Sequence, residues 1–177
     1  MIIYINEAKK EYKDISELSQ IFKENNITIG QNVLFGDRLK LSTGVKIGNN
    51  CKIVHCVSIG NNVQIGDNVK IGNYVDIGNN VKIDNNTIIN NIIDIGDDVQ
   101  IGNNVFIRSY FKIKEKSTIG DNSTILENCS LGNNITIGKD VSISNNVSIC
   151  DYVRIGDNSN IGENCKIEYY IYPKGLN

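Results

Sequence analysis

One histidine, His55, stands among the 177 residues, with Asp37 eighteen positions before it and Asn73 eighteen positions after it. An imidazole held by a carboxylate is fixed in one tautomer, and its other nitrogen is then free to take a proton near neutral pH. Such a pair offers acid-base chemistry on an acceptor hydroxyl or amine. Cys56 follows directly, but neighbouring turn positions do not guarantee that a thiol and an imidazole meet, so a nucleophilic Cys56 is the weaker reading. The pairing has meaning only if residues eighteen apart lie side by side, which neither a lone helix nor a lone strand provides.

The rest of the chain supplies that condition. From Ile29 to Ile167 every sixth residue is apolar without a break in phase, 24 positions of which only Phe35, Leu41 and Leu131 are not isoleucine. A fixed short period is how a stacked repeat appears in sequence. Glycine follows the apolar residue in 14 of the 24 hexads. The fourth position is mostly Asn, Asp or Gly, residues that tolerate a left-handed backbone at a tight corner. Each hexad therefore reads as a short strand and a turn, and three hexads close a triangle. The isoleucines, with corner residues such as Val63, Val69 and Cys51, stack inward while each coil pairs with the next about 4.8 Å away. The expected fold is all-β, a parallel β-helix of eight triangular coils roughly 38 Å long.

Residues 1–28 differ in composition. Met1 to Ile5 reads as a strand, and from Asp14 onward Ile15, Leu18, Ile21 and Phe22 share a helical face, with Asp14 and Glu17 at capping-box spacing. This strand plus short helix is expected to cap the first coil, whose edges would otherwise invite other chains. The β-helix is expected over 29–172, its pairing stopped by Pro173, with 173–177 as a tail.

Hexads eighteen apart share a face, and one face departs from the pattern. The face of Ile29 and Ile47 keeps glycine after the inward residue in seven of eight coils, whereas the face of Phe35 and Ile53 keeps it in three. Outward positions of that second face include Leu34, Val54, Ile88, Phe106 and Leu126, an apolar wall of the kind that marks a contact surface between copies. The corner that follows it carries Asp37, His55, Asn73, Asn91, Ser109 and Glu127 at the third position, then Arg38, Cys56, Tyr74, Ile92, Tyr110 and Asn128 at the fourth.

The hexad pattern resembles the hexapeptide-repeat, left-handed β-helix family, over about four-fifths of the chain, and the left hand is implied by that resemblance. Ile53-Val54-His55-Cys56-Val57-Ser58-Ile59-Gly60 is similar to the active-site hexad of two acyltransferase groups, those acting on UDP-sugars in lipid A synthesis and those acetylating nucleotide-linked amino sugars and sialic acid. Both place a base histidine at the third position. Those groups usually have Asp, Glu or a small polar residue where this chain has Cys56, and they carry a further domain; Asp37 would supply the carboxylate from the adjacent coil. The resemblance implies acetyl transfer from acetyl-CoA to an amine or hydroxyl of a sugar or nucleotide sugar, with His55 as base and the site at the interface of a homotrimer; an Asp37 carboxylate behind His55 is read from the eighteen-residue spacing and is not a feature of the family. Asn73, Tyr74, Asn91, Arg108 and Tyr110 would line the groove for the pantetheine arm, Arg108 as a fork for phosphate.

A second class stays open. A prism without an insertion in 24 hexads also suits a non-catalytic trimer that serves as a scaffold or binds a small molecule, since loops usually carry function. Other uses are excluded by inventory. One histidine cannot build a three-histidine metal site, and Thr87, Thr118, Thr124 and Thr136 do not align into ice-binding ladders. A net charge of −2 gives no basic footprint for nucleic acid. No apolar run has the length of a membrane span and the N-terminus lacks signal-peptide flanks, so a cytoplasmic location is expected. Cys129 and Cys165 lie two coils apart, about 9.6 Å and beyond disulfide reach.

Overall fold

The computed structural model describes residues 1–168. The chain opens with an antiparallel hairpin, β1 (Ile2–Ile5) and β2 (Ala8–Glu11). A 3-10 turn over Ile15–Leu18 follows and runs into α1 (Ser19–Glu24), with the Asp14 side chain capping the turn and Glu17 answering it. The first coil then comprises β3 (Thr28–Ile29), β4 (Leu34–Phe35) and β5 (Leu39–Leu41). Seven further coils repeat it, ending on the strand Lys166–Ile167.

All 24 repeat strands pair in parallel with their counterparts eighteen residues away, as in Lys70↔Ile88 and Ile71↔Ile89. They form three sheets, and the result is a left-handed parallel β-helix of eight coils. Each face is stitched by amide-to-carbonyl bonds such as Gly66 N–H to the Ile83 carbonyl at 2.8 Å. The isoleucines point inward and most are below 5 % exposed, so one continuous column of side chains fills the prism. Where a corner valine is replaced by Thr87, Ser117 or Ser123, the buried hydroxyl donates to the carbonyl of Gly102, Gly132 or Gly138. No buried polar side chain among the described residues is left unpaired, as the low dielectric of such a core demands.

The N-terminal segment holds one element that composition does not reveal. Ala8–Glu11 is a second strand, and the hairpin extends the third sheet through parallel pairing of β1 on β5, Ile3↔Leu39 to Ile5↔Leu41. Its outer edge carries Lys9, Lys10 and Glu11, charges that discourage further strand addition. Leu18, Phe22 and Ile27 are buried and belong to the same hydrophobic cluster as the column inside the prism. At the far end Ile155, Ile161, Cys165 and Ile167 are half-buried in the last described coil. The Tyr169 to Pro173 stretch and the tail 173–177 lie outside the described residues.

Candidate functional site

Every corner of the prism turns through a residue with a left-handed backbone, and the three corners solve this differently. After the first face the eight residues are Asn32, Asn50, Asn68, Asn86, Asn104, Asn122, Asp140 and Asn158, with φ of 55° to 59°. After the second face they are Arg38, Cys56, Tyr74, Ile92 and Tyr110 before Asn128, Asn146 and Asn164 take over. Asn and Asp tolerate this region, whereas a β-branched residue there is a true outlier. Ile92 holds φ 59°, and such strain costs about 1–3 kcal/mol per residue. Tyr74, Ile92 and Tyr110 are also 64 %, 45 % and 57 % exposed, half of the large apolar side chains that stand out from the described surface. A ridge with strained backbone and exposed apolar side chains thus begins one coil beyond His55.

His55 sits at the foot of this ridge, and its ring does something other than the spacing suggests. At most corners of the prism the third-position side-chain oxygen accepts a hydrogen bond from the backbone N–H one coil earlier, as Asn49 does from Gln31 and Asp67 from Asn49, at 2.8 and 2.6 Å. His55 occupies one of these slots. The Asp37 backbone N–H donates to His55 Nδ1 at 2.9 Å, and the His55 N–H donates to Asn73 Oδ1 at 3.2 Å. The imidazole is standing in for an asparagine oxygen.

This corrects the expected carboxylate-histidine pair. The Asp37 carboxylate does not hold the ring, because Oδ1 accepts from the Ile2 amide at 2.8 Å. That bond, the leading cause, keeps the carboxyl below its ordinary range. Asp37 and His55 are brought together, but through the backbone of one and the ring of the other. With Nδ1 acting as acceptor, the neutral ring carries its proton on Nε2.

The groove candidates divide in two. Asn73 and Asn91 belong to the ladder, with Asn73 N–H and Nδ2 both donating to Asn91 Oδ1, at 2.8 and 3.1 Å. Arg108 is not an open fork, since Nη1 faces Glu127 at 3.6 Å. Only Tyr74 and Tyr110 present groups without such engagement. Together with Ile92, Asp76 and the ion-paired Asp94 and Lys112 they border a shallow cavity of about 280 Å³. Ile92 stands out in the sequence as an apolar residue at the hexad position that is mostly Asn, Asp or Gly, yet its left-handed backbone gives it weight only once the other corners are seen. The apolar wall is interrupted as well: Lys52 and Lys70 stand in register between Leu34 and Ile88, leaving Ile88 and Phe106 adjacent.

Fold and repeat chemistry together define a left-handed β-helix of hexapeptide units. The family described as the hexapeptide repeat of succinyl-transferase matches residues 26–54 and 56–91, and the bacterial transferase hexapeptide matches residues 134–168. The chain belongs to the hexapeptide-repeat transferase family. Among solved structures it is similar to a UDP-N-acetylglucosamine acyltransferase from Bacteroides fragilis, at 20 % identity and a TM-score of 0.60, over 80 % of this chain and 64 % of that one. A UDP-N-acetylglucosamine acyltransferase from Arabidopsis gives 21 % identity and a TM-score of 0.50, over 80 % of this chain and 59 % of that one. The chain therefore spans about three-fifths of these proteins' length, and the likeness is one of fold. No curated protein matches the sequence. No helix among the described residues is long and apolar enough to cross a membrane.

Proposed function

We propose that the protein transfers an acetyl group from acetyl-CoA to an amine or hydroxyl of a sugar or nucleotide sugar, at the ridge that has His55 at its foot. The observation that carries this reading is the second corner, where five successive coils give up the unstrained asparagine for Arg38, Cys56, Tyr74, Ile92 and Tyr110. Natural chains retain such strain where the side chains are needed. The family membership and the fold shared with sugar acyltransferases support the same class.

In this reading His55 is the general base. Its ring first turns away from the Asp37 amide, giving up one hydrogen bond worth about 0.5–1.5 kcal/mol, and Nδ1 then takes the proton of the acceptor. The acceptor atom bonds to the thioester carbon, the oxyanion collapses, and the imidazolium returns a proton to the departing coenzyme A thiolate. Tyr74 and Tyr110 flank the pantetheine arm beside Asn73 and Asn91, while Arg108 reaches phosphate only by exchanging Glu127 for it. A homotrimer formed through Ile88, Phe106, Leu126, Val54 and Leu34 sets the ridge against a neighbouring copy, as the half-exposed apolar wall supports.

His55→Asn is the decisive variant, because asparagine restores the ladder oxygen and removes the base. Thiol release from acetyl-CoA, followed with a panel of amino sugars and nucleotide sugars, is expected to fall at least about a hundredfold with the melting temperature unchanged. An undiminished rate would remove His55 from the chemistry. The way His55 fills an asparagine slot favours a second reading, a non-catalytic trimer serving as scaffold or small-molecule binder. Absence of both coenzyme A binding and thiol release in the wild type would establish that alternative.

A further inference from the structure

The N-terminal hairpin, which has no counterpart in the repeat, shapes a cavity of about 530 Å³ on the outer surface of the third face. Its floor is a register row: Tyr4 pairs with Lys40 and Lys40 with Ser58, three side chains spread over roughly 9.6 Å at the β spacing. One wall is the hairpin turn, where Asn6 and Glu7 both take left-handed backbones, φ 45° and 67°. The other is the rim beyond Ser42, Gly60 and Gly78. The turn is pinned, not loose. Asn6 N–H donates to the Leu41 carbonyl at 3.0 Å, and Asn6 Nδ2 donates to Asn25 Oδ1 and Thr43 Oγ1 at 2.6 and 2.9 Å. Glu7 takes its positive φ as the second residue of this two-residue hairpin turn, and the bonds of Asn6 fix where it stands.

The unoccupied chemistry of this cavity is specific. Glu7 and Lys40 both line it, yet they form no ion pair with each other or with any described residue, and the hydroxyls of Ser42 and Ser58 make no hydrogen bond among the described residues. One cation and one anion leave the walls without net charge, which disfavours a phosphate, a nucleotide or an acidic peptide. A ligand dense in hydroxyls satisfies both signs, donating to the carboxylate and accepting from the ammonium in charge-assisted bonds. The Tyr4 ring offers an apolar platform beside them, as ring-stacked recognition requires. The volume lies within the range of preformed small-molecule sites.

We infer that this cavity is a binding site for a neutral pyranose, either a free monosaccharide or one unit of a longer glycan, separate from the ridge at His55. The inference stands whether or not the ridge performs acyl transfer, because none of its groups belongs to the second corner.

The test is a two-dimensional amide NMR titration of the full chain with glucose, galactose, mannose and N-acetylglucosamine, with glucuronate and inorganic phosphate as charged comparators. Saturable shifts are expected at the Tyr4, Glu7, Ser42, Ser58 and Gly60 amides for at least one neutral sugar. Lys40→Ala and Glu7→Gln are each expected to weaken that binding about tenfold or more, while His55→Asn leaves it unchanged. Glu7→Gln keeps the turn's shape, so its effect is read with the hairpin in place, and unperturbed Ile3 and Ile5 amides confirm that docking in each variant. Preference for glucuronate or phosphate, shifts that vanish in His55→Asn, or no saturable shift with any neutral sugar would each overturn the assignment.

Discussion

Two corners of the same coil do the same mechanical work with different residues. In the fourth coil the corner after the first face turns through Asn86 and the corner after the second face turns through Ile92, at φ 58° and 59°. The asparagine is cheap at that backbone and adds a ladder bond, accepting from Asn68 Nδ2 at 3.1 Å. The isoleucine has neither advantage and exposes nearly half of its side chain to water. The geometry of the turn is therefore met by asparagine or aspartate at every coil of one corner, and the other corner departs from them for five consecutive coils. Stability alone explains the first corner. The second requires something that touches its side chains.

The most disruptive way to probe this comparison is to attack the regular stitching itself. In Gly120→Ala the new methyl would lie 2.4 Å from the Gly138 carbonyl oxygen, a backbone atom that cannot swing aside. A loss of about 1–3 kcal/mol is expected in denaturant unfolding, with the coils parting locally. Exchanging the two corner residues is more informative. Asn86→Ile is expected to destabilise by about 2 kcal/mol, from strain plus a lost bond, and Ile92→Asn to stabilise by about 1 kcal/mol while lowering whatever activity or assembly the ridge supports. Should both exchanges destabilise equally, the ridge is held by local packing and the contrast loses its meaning.

The smallest expected effect separates Asp37 from the chemistry. Its carboxyl is depressed by the Ile2 amide, so the ionised form stabilises hairpin docking at neutral pH. That contribution is complete above the ordinary carboxylate value of 3.8 and fades as pH falls through the lower folded value. Hydrogen exchange at the Ile2 amide is expected to accelerate on acidification in the wild type. Asp37→Asn, which keeps an acceptor oxygen, should lose this acid response and retain full turnover. A large fall in turnover for Asp37→Asn would restore the carboxylate to the site.

Much of this was legible from residue order. The phase of Ile29 to Ile167 gave the coils, their number and the column inside them, because an eighteen-residue turn leaves no other inward set. The departure of the second face was equally visible in Val54, Arg108 and Leu126. The Asp37–His55 carboxylate bond was misplaced because spacing brings backbones together without saying which atom of each residue points across. The strand Ala8–Glu11 was missed since Ala-Lys-Lys-Glu has little β propensity and takes its shape from pairing with Ile2–Ile5.

What the sequence determined by itself is the prism, since one uninterrupted period can be buried only by stacking hexads in threes. Tertiary structure alone decided the roles of single groups. Whether His55 Nδ1 points to a carboxylate or to an amide, which loop closes a cavity over Tyr4, and where the left-handed backbone falls on an isoleucine depend on hydrogen-bond directions a few ångströms long. A repeating pattern fixes which residues are neighbours, and only the folded coordinates fix how they face one another.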